Sequence, residues 1–308
     1  MSKQNIIVVG SSNTDMIIKL DRIPRPGETI LGGEFFTAAG GKGANQAVSA
    51  ARAGGRVTFI ARVGLDMFGD NTVKGFKKEG INTDHVLRDT SSPSGVALIF
   101  VAKDGENSIA VAGGANSNLS PEDISNAREI ISSANLLVMQ LETPLETVQA
   151  ADDLAVKGGV QVILNPAPAC SLPDELLRNI SIITPNETEA ELLTGIKVDD
   201  NKSASKAADI LLARGVKTVI ITLGSRGAFV VGEGIRKLVP GFRVNAVDTT
   251  AAGDTFNGAL AVALVEGIAL EEAVRFANAT AALSVTRRGA QSSVPVRMEI
   301  EEFLRNNE

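Results

Sequence analysis

The stretch ISIITPNETEAELLTG, residues 180–195, runs from a short β-branched segment through a proline turn into a pattern with helical spacing. The same change of period repeats on both sides of it. Apolar runs bounded by glycine, asparagine or proline lie at 6–9, 57–61, 136–140, 160–164, 180–184 and 219–222, and such runs read as buried strands. Helical patterns fall at 44–53, 66–79, 121–133, 144–157, 187–194, 202–214, 252–266 and 270–285. Strand alternating with helix predicts a three-layer α/β/α fold whose mostly parallel central sheet is covered on both faces, with ligands beyond the carboxyl ends of the strands.

Two stretches break the alternation. Residues 15–38 and 94–112 read as strand pairs, the second joined by the turn Lys103-Asp-Gly-Glu106. They predict a small antiparallel sheet projecting from the main body. Ile99, Val101, Ile109 and Val111 need cover on one face of it, from the protein's own core or from another subunit. With no fixed-period repeat and no linker, 1–308 reads as one unit carrying this projection.

Composition narrows the function. Thirty Lys plus Arg against 36 Asp plus Glu give a net charge of −6, so no basic surface recommends nucleic acid or an acidic membrane. The one cysteine, Cys170, excludes an intramolecular disulfide framework and a CxxC site and fits a reducing cytoplasm. The apolar run near the N-terminus is far shorter than the ~20 residues of a span, so the expectation is a soluble cytoplasmic protein.

The segment DTTAAGDTFNGAL, residues 248–260, carries the most chemistry. Phe256, Leu260 and Leu264 with Ala259 and Ala263 repeat at helical spacing toward Gly267, so the helix begins near Ala252-Gly253. Backbone N–H groups of a first turn lack intrahelical acceptors, and small residues let an anion approach them. Asp254 then lies beside the bound group, placed to accept a proton from an attacking hydroxyl. Complementing the helix dipole accounts for the same residue.

In AGGKGANQ, residues 39–46, Lys42 is followed by Gly43 and the position five before Gly41 is Phe36, so this is not a Walker A loop. Gly40, Gly41 and Gly43 instead let backbone and Asn45 approach a polyhydroxyl ligand, with Lys42 donating; a tight helix-entry loop without ligand has the same composition. Asn186 and Glu189 share a helix face, and suit either Mg²⁺ beside nucleotide phosphates or a capping box. The loop 222–227 can pass close to a nucleotide, the NPAP turn at 165–168 is rigid, and 286–293 offers carbonyls to a monovalent cation or simply turns. His85, the only histidine, has no companion nucleophile, which disfavours a serine hydrolase.

GGKGANQA, NPAPA, TPNETEAELLTG, TLGSRG, DTTAAGDTFNGA and TRRGAQSSVP, in this order over nearly the whole chain, resemble the ribokinase branch of the PfkB carbohydrate kinase family. The resemblance implies a ribokinase-like fold, the small sheet being its lid and homodimer contact. It implies transfer of the ATP γ-phosphoryl group to O5 of D-ribose. By position, the sugar site falls on Asn13, Asp15, Gly41, Lys42, Asn45 and Glu142; Asp254 matches the catalytic base, and Ala251, Ala252 and Gly253 the anion hole. Asn186 and Glu189 match the motif associated with Mg²⁺ and ATP, Thr222, Gly224, Ser225 and Gly227 the nucleotide loop, and Asn278 the adenine contact, where some relatives carry histidine. An activating K⁺ falls on Asp248, Thr250, Ser284, Arg287, Gly289 and Ser293, mostly through carbonyls. A sister kinase for deoxyribose, another sugar or a nucleoside is the nearest alternative. A catalytically silent sugar-binding protein comes next, and a nicotinamide enzyme, lacking GxGxxG, is more distant.

Overall fold

The computed structural model describes residues 5–307. Its strands are β1 (Asn5–Val9), β2 (Asn13–Leu20), β3 (Glu34–Gly40), β4 (Arg56–Gly64), β5 (Val86–Asp89), β6 (Gly95–Ala102), β7 (Asn107–Ala112), β8 (Leu136–Met139), β9 (Gln161–Leu164), β10 (Ile182–Ile183), β11 (Thr218–Thr222), β12 (Gly227–Gly232) and β13 (Ile235–Pro240). Nine of them form one sheet in the order β13-β12-β11-β10-β9-β8-β1-β4-β5. It is parallel from β11 to β5 and antiparallel at the β11-β12-β13 edge.

Successive residues of β1 supply opposite cores, as the two-residue period of a strand requires. Ile6 and Val8 pack with Ala47, Leu260 and Ala277 from helices Lys42–Arg52, Ala252–Val265 and Leu270–Ser284. Ile7 and Val9 pack with Val148 and Leu211 from helices Leu145–Lys157 and Asn201–Ala213. Both faces of the sheet are thus covered, and the continuous apolar runs are those of a doubly buried sheet. No helix among the described residues is long and apolar enough to cross a membrane.

All six expected strands form, within a few residues of the expected bounds. The expected helix over 121–133 is two, Pro121–Asn126 and Arg128–Ser132, because the Ala127 N–H turns to Ile124 O at 3.1 Å and tightens the chain between them. Helices Asp174–Asn179 and Arg297–Arg305 and strands β5, β12 and β13 are additional. The β12-β13 hairpin turns on Glu233 and Gly234, both at positive φ, as a two-residue hairpin loop requires.

The projecting sheet, in the order β3-β2-β6-β7, is mixed. Its two hairpins are antiparallel inside, but they join through a parallel β2-β6 pair from Asn13↔Gly95 to Leu20↔Ala102. The cause is topological: β2 continues from β1 and β6 follows β5, both leaving the parallel sheet at its carboxyl edge in the same direction. Register puts Asp15, Ile17, Ala97, Ile99, Ile109 and Val111 on one face.

Two helices at the centre meet through a glycine. A Cβ on Gly258 would lie 2.5 Å from Gln46 O and 2.7 Å from Ala50 N, so only glycine lets Ala252–Val265 approach Lys42–Arg52 this closely. Ser49 Oγ also donates to Thr255 O at 2.7 Å. Gly258→Ala is expected to lower unfolding free energy by about 1–3 kcal/mol, whereas Gly75→Ala, in an exposed turn of Met67–Lys78 with open space around it, raises it by about 0.4–1 kcal/mol. Denaturant titration of both variants checks the opposite signs; equal signs would contradict close packing at Gly258.

Candidate active site

Loops leaving β1, β8, β9, β10 and β11 at their carboxyl ends converge on the first turn of Ala252–Val265. Between them lies a cleft of about 180 Å³, bordered by Lys42, Glu189, Thr222, Ala251, Gly253 and Asp254 among others. It sits where an open parallel sheet places its ligands.

Asp254 is 6 % exposed at the start of that helix. Asn45 Nδ2 donates to its Oδ2 at 2.9 Å and Gln46 Nε2 to its Oδ1 at 3.0 Å. Burial pushes its carboxyl up; the Lys42 ammonium and the two amides oppose that, while Glu142 adds to it. Ala251, just before the helix, holds φ 59° and ψ 17°, a left-handed conformation that non-glycine residues seldom adopt and that clusters at functional sites. The N–H groups of the turn differ in one respect from the expected free set at 251–253. The Ala252 N–H donates to Thr249 O at 3.2 Å, leaving those of Ala251, Gly253 and Asp254 without a backbone acceptor among the described residues. The Ala251 reversal produces this, turning Thr249 O under the helix end.

Two further residues expected for the sugar, Asp15 and Glu142, lie within Coulombic reach of Asp254. Asp15 and Asn13 open β2, both buried. Gly40 faces Asp15 directly: a Cβ there would lie 2.3 Å from Oδ2 of Asp15. Gly41, at φ 90°, passes so close to Ser12 and Asn13 that a Cβ would lie 2.7 Å from Asn13 N. Glu142 Oε2 accepts from Lys42 N at 3.0 Å and from the Ser11 hydroxyl. Burial, with Glu142 and Asp254 nearby, pushes the Asp15 carboxyl up to about 6. Burial works against the Lys42 charge, but Asp254, Glu142 and Glu189 outweigh it and hold the ammonium above its ordinary value.

Asn186 and Glu189 realise the capping box: Asn186 N donates to Glu189 Oε2 at 2.9 Å, and Glu189 N to Asn186 Oδ1 at 2.8 Å. Burial still pushes the Glu189 carboxyl up, and Glu189 borders the cleft with Lys42. Thr222 docks on this turn, its N–H donating to Pro185 O at 2.9 Å, and leads into the 3₁₀ turn Gly224–Arg226, which includes Ser225, and then Gly227. Asn278 is buried, and its Nδ2 donates to Val239 O and Pro240 O at 3.2 Å each; it ties its helix to β13 and does not border the cleft.

Asp248 joins the two loops expected to hold a cation. Its Oδ1 accepts from the N–H and hydroxyl of Thr250 at 2.9 and 2.6 Å, and its Oδ2 from Gly289 N at 2.9 Å. Burial raises its carboxyl, but these bonds outweigh it and leave it lowered. The Arg287 guanidinium pairs with Glu299 at 2.6 Å, and the hydroxyls of Ser284 and Ser293 donate to Ala281 O and Ala290 O at 2.8 and 2.7 Å. These three side chains are thus engaged within the protein, and the Ser284 carbonyl accepts from Arg287 N at 3.0 Å.

Sequence reasoning passed over the amides behind the site. Gln46, Gln140, Asn165 and Asn257 are all buried and linked to one another or to Asp254 and Thr184. Asn116 Nδ2 donates to Asn13 Oδ1 at 2.8 Å, and its Oδ1 accepts from Ser12 N at 2.9 Å. The available signal was a glutamine set among Ala44, Ala47, Val48 and Ala50 on a helix face otherwise built for burial.

The family model described as "pfkB family carbohydrate kinase" matches residues 3–297. A ribokinase from Haemophilus influenzae is 50 % identical over 302 residues, 98 % of this chain and 99 % of that protein. A deoxyribokinase from Salmonella typhi is 43 % identical over 305 residues, covering 99 % of this chain and 100 % of that one. The solved structure of an Arabidopsis thaliana ribokinase complexed with ribose and ATP superposes with a TM-score of 0.92 at 37 % identity, covering 99 % of both chains. With the whole cleft assembled in that fold, the chain is a sugar kinase and belongs to the pfkB family of carbohydrate kinases.

Proposed function

We propose that this kinase phosphorylates D-ribose at O5 with ATP, using Asp254 as general base. The observation that carries the reading is the position of Asp254 among two kinds of group. The acceptor-free N–H groups of Ala251 and Gly253 and the Lys42 side chain border the cleft with Asp254, and the carboxyls of Asp15 and Glu142 lie within its Coulombic reach, with Asn13 two residues before Asp15 on β2. Sugar hydroxyls both donate and accept, and Asn45 Oδ1 is buried with no partner, an acceptor left for such a hydroxyl. In the reaction the O5–H bond breaks and its proton passes to Asp254. O5 bonds to the γ-phosphorus, the bond from that phosphorus to the β-γ bridging oxygen breaks, and ADP leaves. The N–H groups and Lys42 stabilise charge on the moving phosphoryl.

The donor set fits the accompanying cations. The Glu189 carboxyl is raised by burial and has Oε1 unengaged, a hard oxygen that would hold Mg²⁺ with the nucleotide. Bound there, Mg²⁺ supplies charge neutralisation across the phosphates. Carbonyls of the loops that Asp248 draws together would hold K⁺. Thr222 and the Gly224–Gly227 turn receive the nucleotide, with Asn278 bracing the strand behind it. A deoxyribose kinase is the second reading, favoured by the Salmonella typhi relative.

The lid face that carries Asp15 also carries Ile109 and Val111, each 56 % exposed. A second copy covering this apolar face is the reading it supports, and sedimentation at micromolar concentration is expected to give a dimer; a monomer would remove it.

Ionised Asp15 destabilises the empty site. Its carboxyl is raised from the ordinary 3.8 to about 6, so between those values the folded chain retains a proton that the unfolded chain has lost. Stability therefore falls as pH rises through that window and stays lower above it. Asp15→Asn is expected to raise unfolding free energy at pH 7.5 by on the order of 1–3 kcal/mol, with no gain below about pH 4, while losing affinity for ribose. Melts at the two pH values with ribose calorimetry check this, and a neutral or negative change at pH 7.5 contradicts it. Asp254→Asn is expected to keep the fold and ribose binding while lowering kcat by about 10²–10⁴-fold; near-normal kcat would remove Asp254 from the role.

A further inference from the structure

Behind the reacting face of Asp254 the buried amides form a chain with one direction. Asn165 Nδ2 donates to Thr184 O at 3.2 Å, so Asn165 Oδ1 faces Gln46 and accepts from its Nε2 at 3.0 Å. The second hydrogen of that Nε2 goes to Asp254 Oδ1, also at 3.0 Å. Gln46 Oε1 in turn accepts from Gln140 Nε2 at 2.7 Å. The two ends that Gln46 serves, a carboxylate and an asparagine already turned by a main-chain carbonyl, can only accept. They fix which way the glutamine amide lies, and Gln140 locks the other end. Gln46 is fully buried, and every hydrogen-bonding site on its amide group that these partners reach is used.

We infer that Gln46 is a positioning residue for the phosphoryl-transfer base: pinned by Gln140 and Asn165, it holds Asp254 by Oδ1 and fixes the plane in which the carboxylate meets the sugar hydroxyl. The inference rests on the general-base reading of Asp254 given above. Burial of two fixed partners makes the arrangement costly to break, because each orphaned buried amide or carbonyl loses a bond with no water to replace it. The donated bond also favours the ionised carboxylate, opposing burial. The charged groups that reach Asp254 from the surrounding elements are Lys42 from the helix Lys42–Arg52 that also carries Gln46, Glu142 after β8, Asp15 on β2 and Glu189 beyond β10. None of them is replaced in the variants below, so a change in Asp254 titration reports the amide.

Two variants separate positioning from general loosening. Gln46→Met removes the donor at nearly constant volume, and Gln140→Leu removes the lock without touching Asp254. The ¹³C carboxyl resonance of Asp254, assigned by its absence in Asp254→Asn, is titrated in the folded full-length protein. The midpoint is expected to move to higher pH in Gln46→Met and to move less, in the same direction, in Gln140→Leu. The acid limb of kcat is expected to move with it, kcat falling on the order of 10²-fold in Gln46→Met as misplaced reacting groups do, with KM for ribose and ATP nearly unchanged. An unmoved midpoint in a folded variant overturns the inference, as does a loss carried by KM alone; should Gln46→Met fail to fold, an unmoved midpoint in Gln140→Leu overturns it. The carboxyl titration needs no turnover. A moved midpoint in a protein with no ribose-dependent ADP release would therefore uphold the hold of Gln46 on Asp254 and remove the general-base reading, and the two failures remain distinct.

Discussion

A carboxylate buried at the first turn of a helix, with an amide N–H on each oxygen and an ammonium opposite, is the constraint around which this molecule is arranged. Burial at 6 % exposure pushes the Asp254 carboxyl up, and Lys42, Asn45 and Gln46 oppose that, because an uncompensated buried charge neutralises instead. All three compensating groups come from one helix, Lys42–Arg52, and they reach Asp254 only because Gly258 lets the two helices touch. Close packing and the compensated burial of Asp254 are thus consequences of the same contact.

The same logic extends to the sheet. Five strands of its parallel part lead from their carboxyl ends into residues of the site: β1 into the approach to Asn13, β8 into Gln140 and Glu142, β9 into Asn165, β10 into Asn186 and β11 into Thr222. The apolar strands are rigid because both faces are buried, and the polar residues just beyond them inherit that rigidity. The lid is different in kind. β3 and β7 are exposed along nearly their whole length.

Much of this was legible from residue pattern. The β-branched runs, their glycine and proline boundaries and the helical spacing between them marked the alternating core, since burial on both faces leaves a continuous apolar run. What was not legible had local reasons. The β12-β13 hairpin carries Glu-Gly where Asn-Gly is the usual signal, and β13 is an edge strand with Arg236 and Lys237 facing water. The parallel β2-β6 join depends on where two chain segments leave the main sheet, which no window of sequence contains. At the site, motif glycines and acids were visible, but Gln46, Gln140 and Asn116 act through partners about 100 residues away. An isolated amide in sequence says nothing of such a partner. The Asn186–Glu189 spacing admitted two readings; the capping box is present and leaves Glu189 Oε1 without a hydrogen bond among the described residues.

The account stands on one coupling: an alcohol on one side of Asp254 and a nucleotide phosphate on the other, joined through that carboxylate. Initial rates of ADP release from ATP by the unmodified chain, with and without D-ribose and with analysis of the sugar product, measure it directly. The account requires ribose-dependent ADP formation matched one to one by ribose 5-phosphate. Ribose that binds while ADP stays at its sugar-free rate would contradict it.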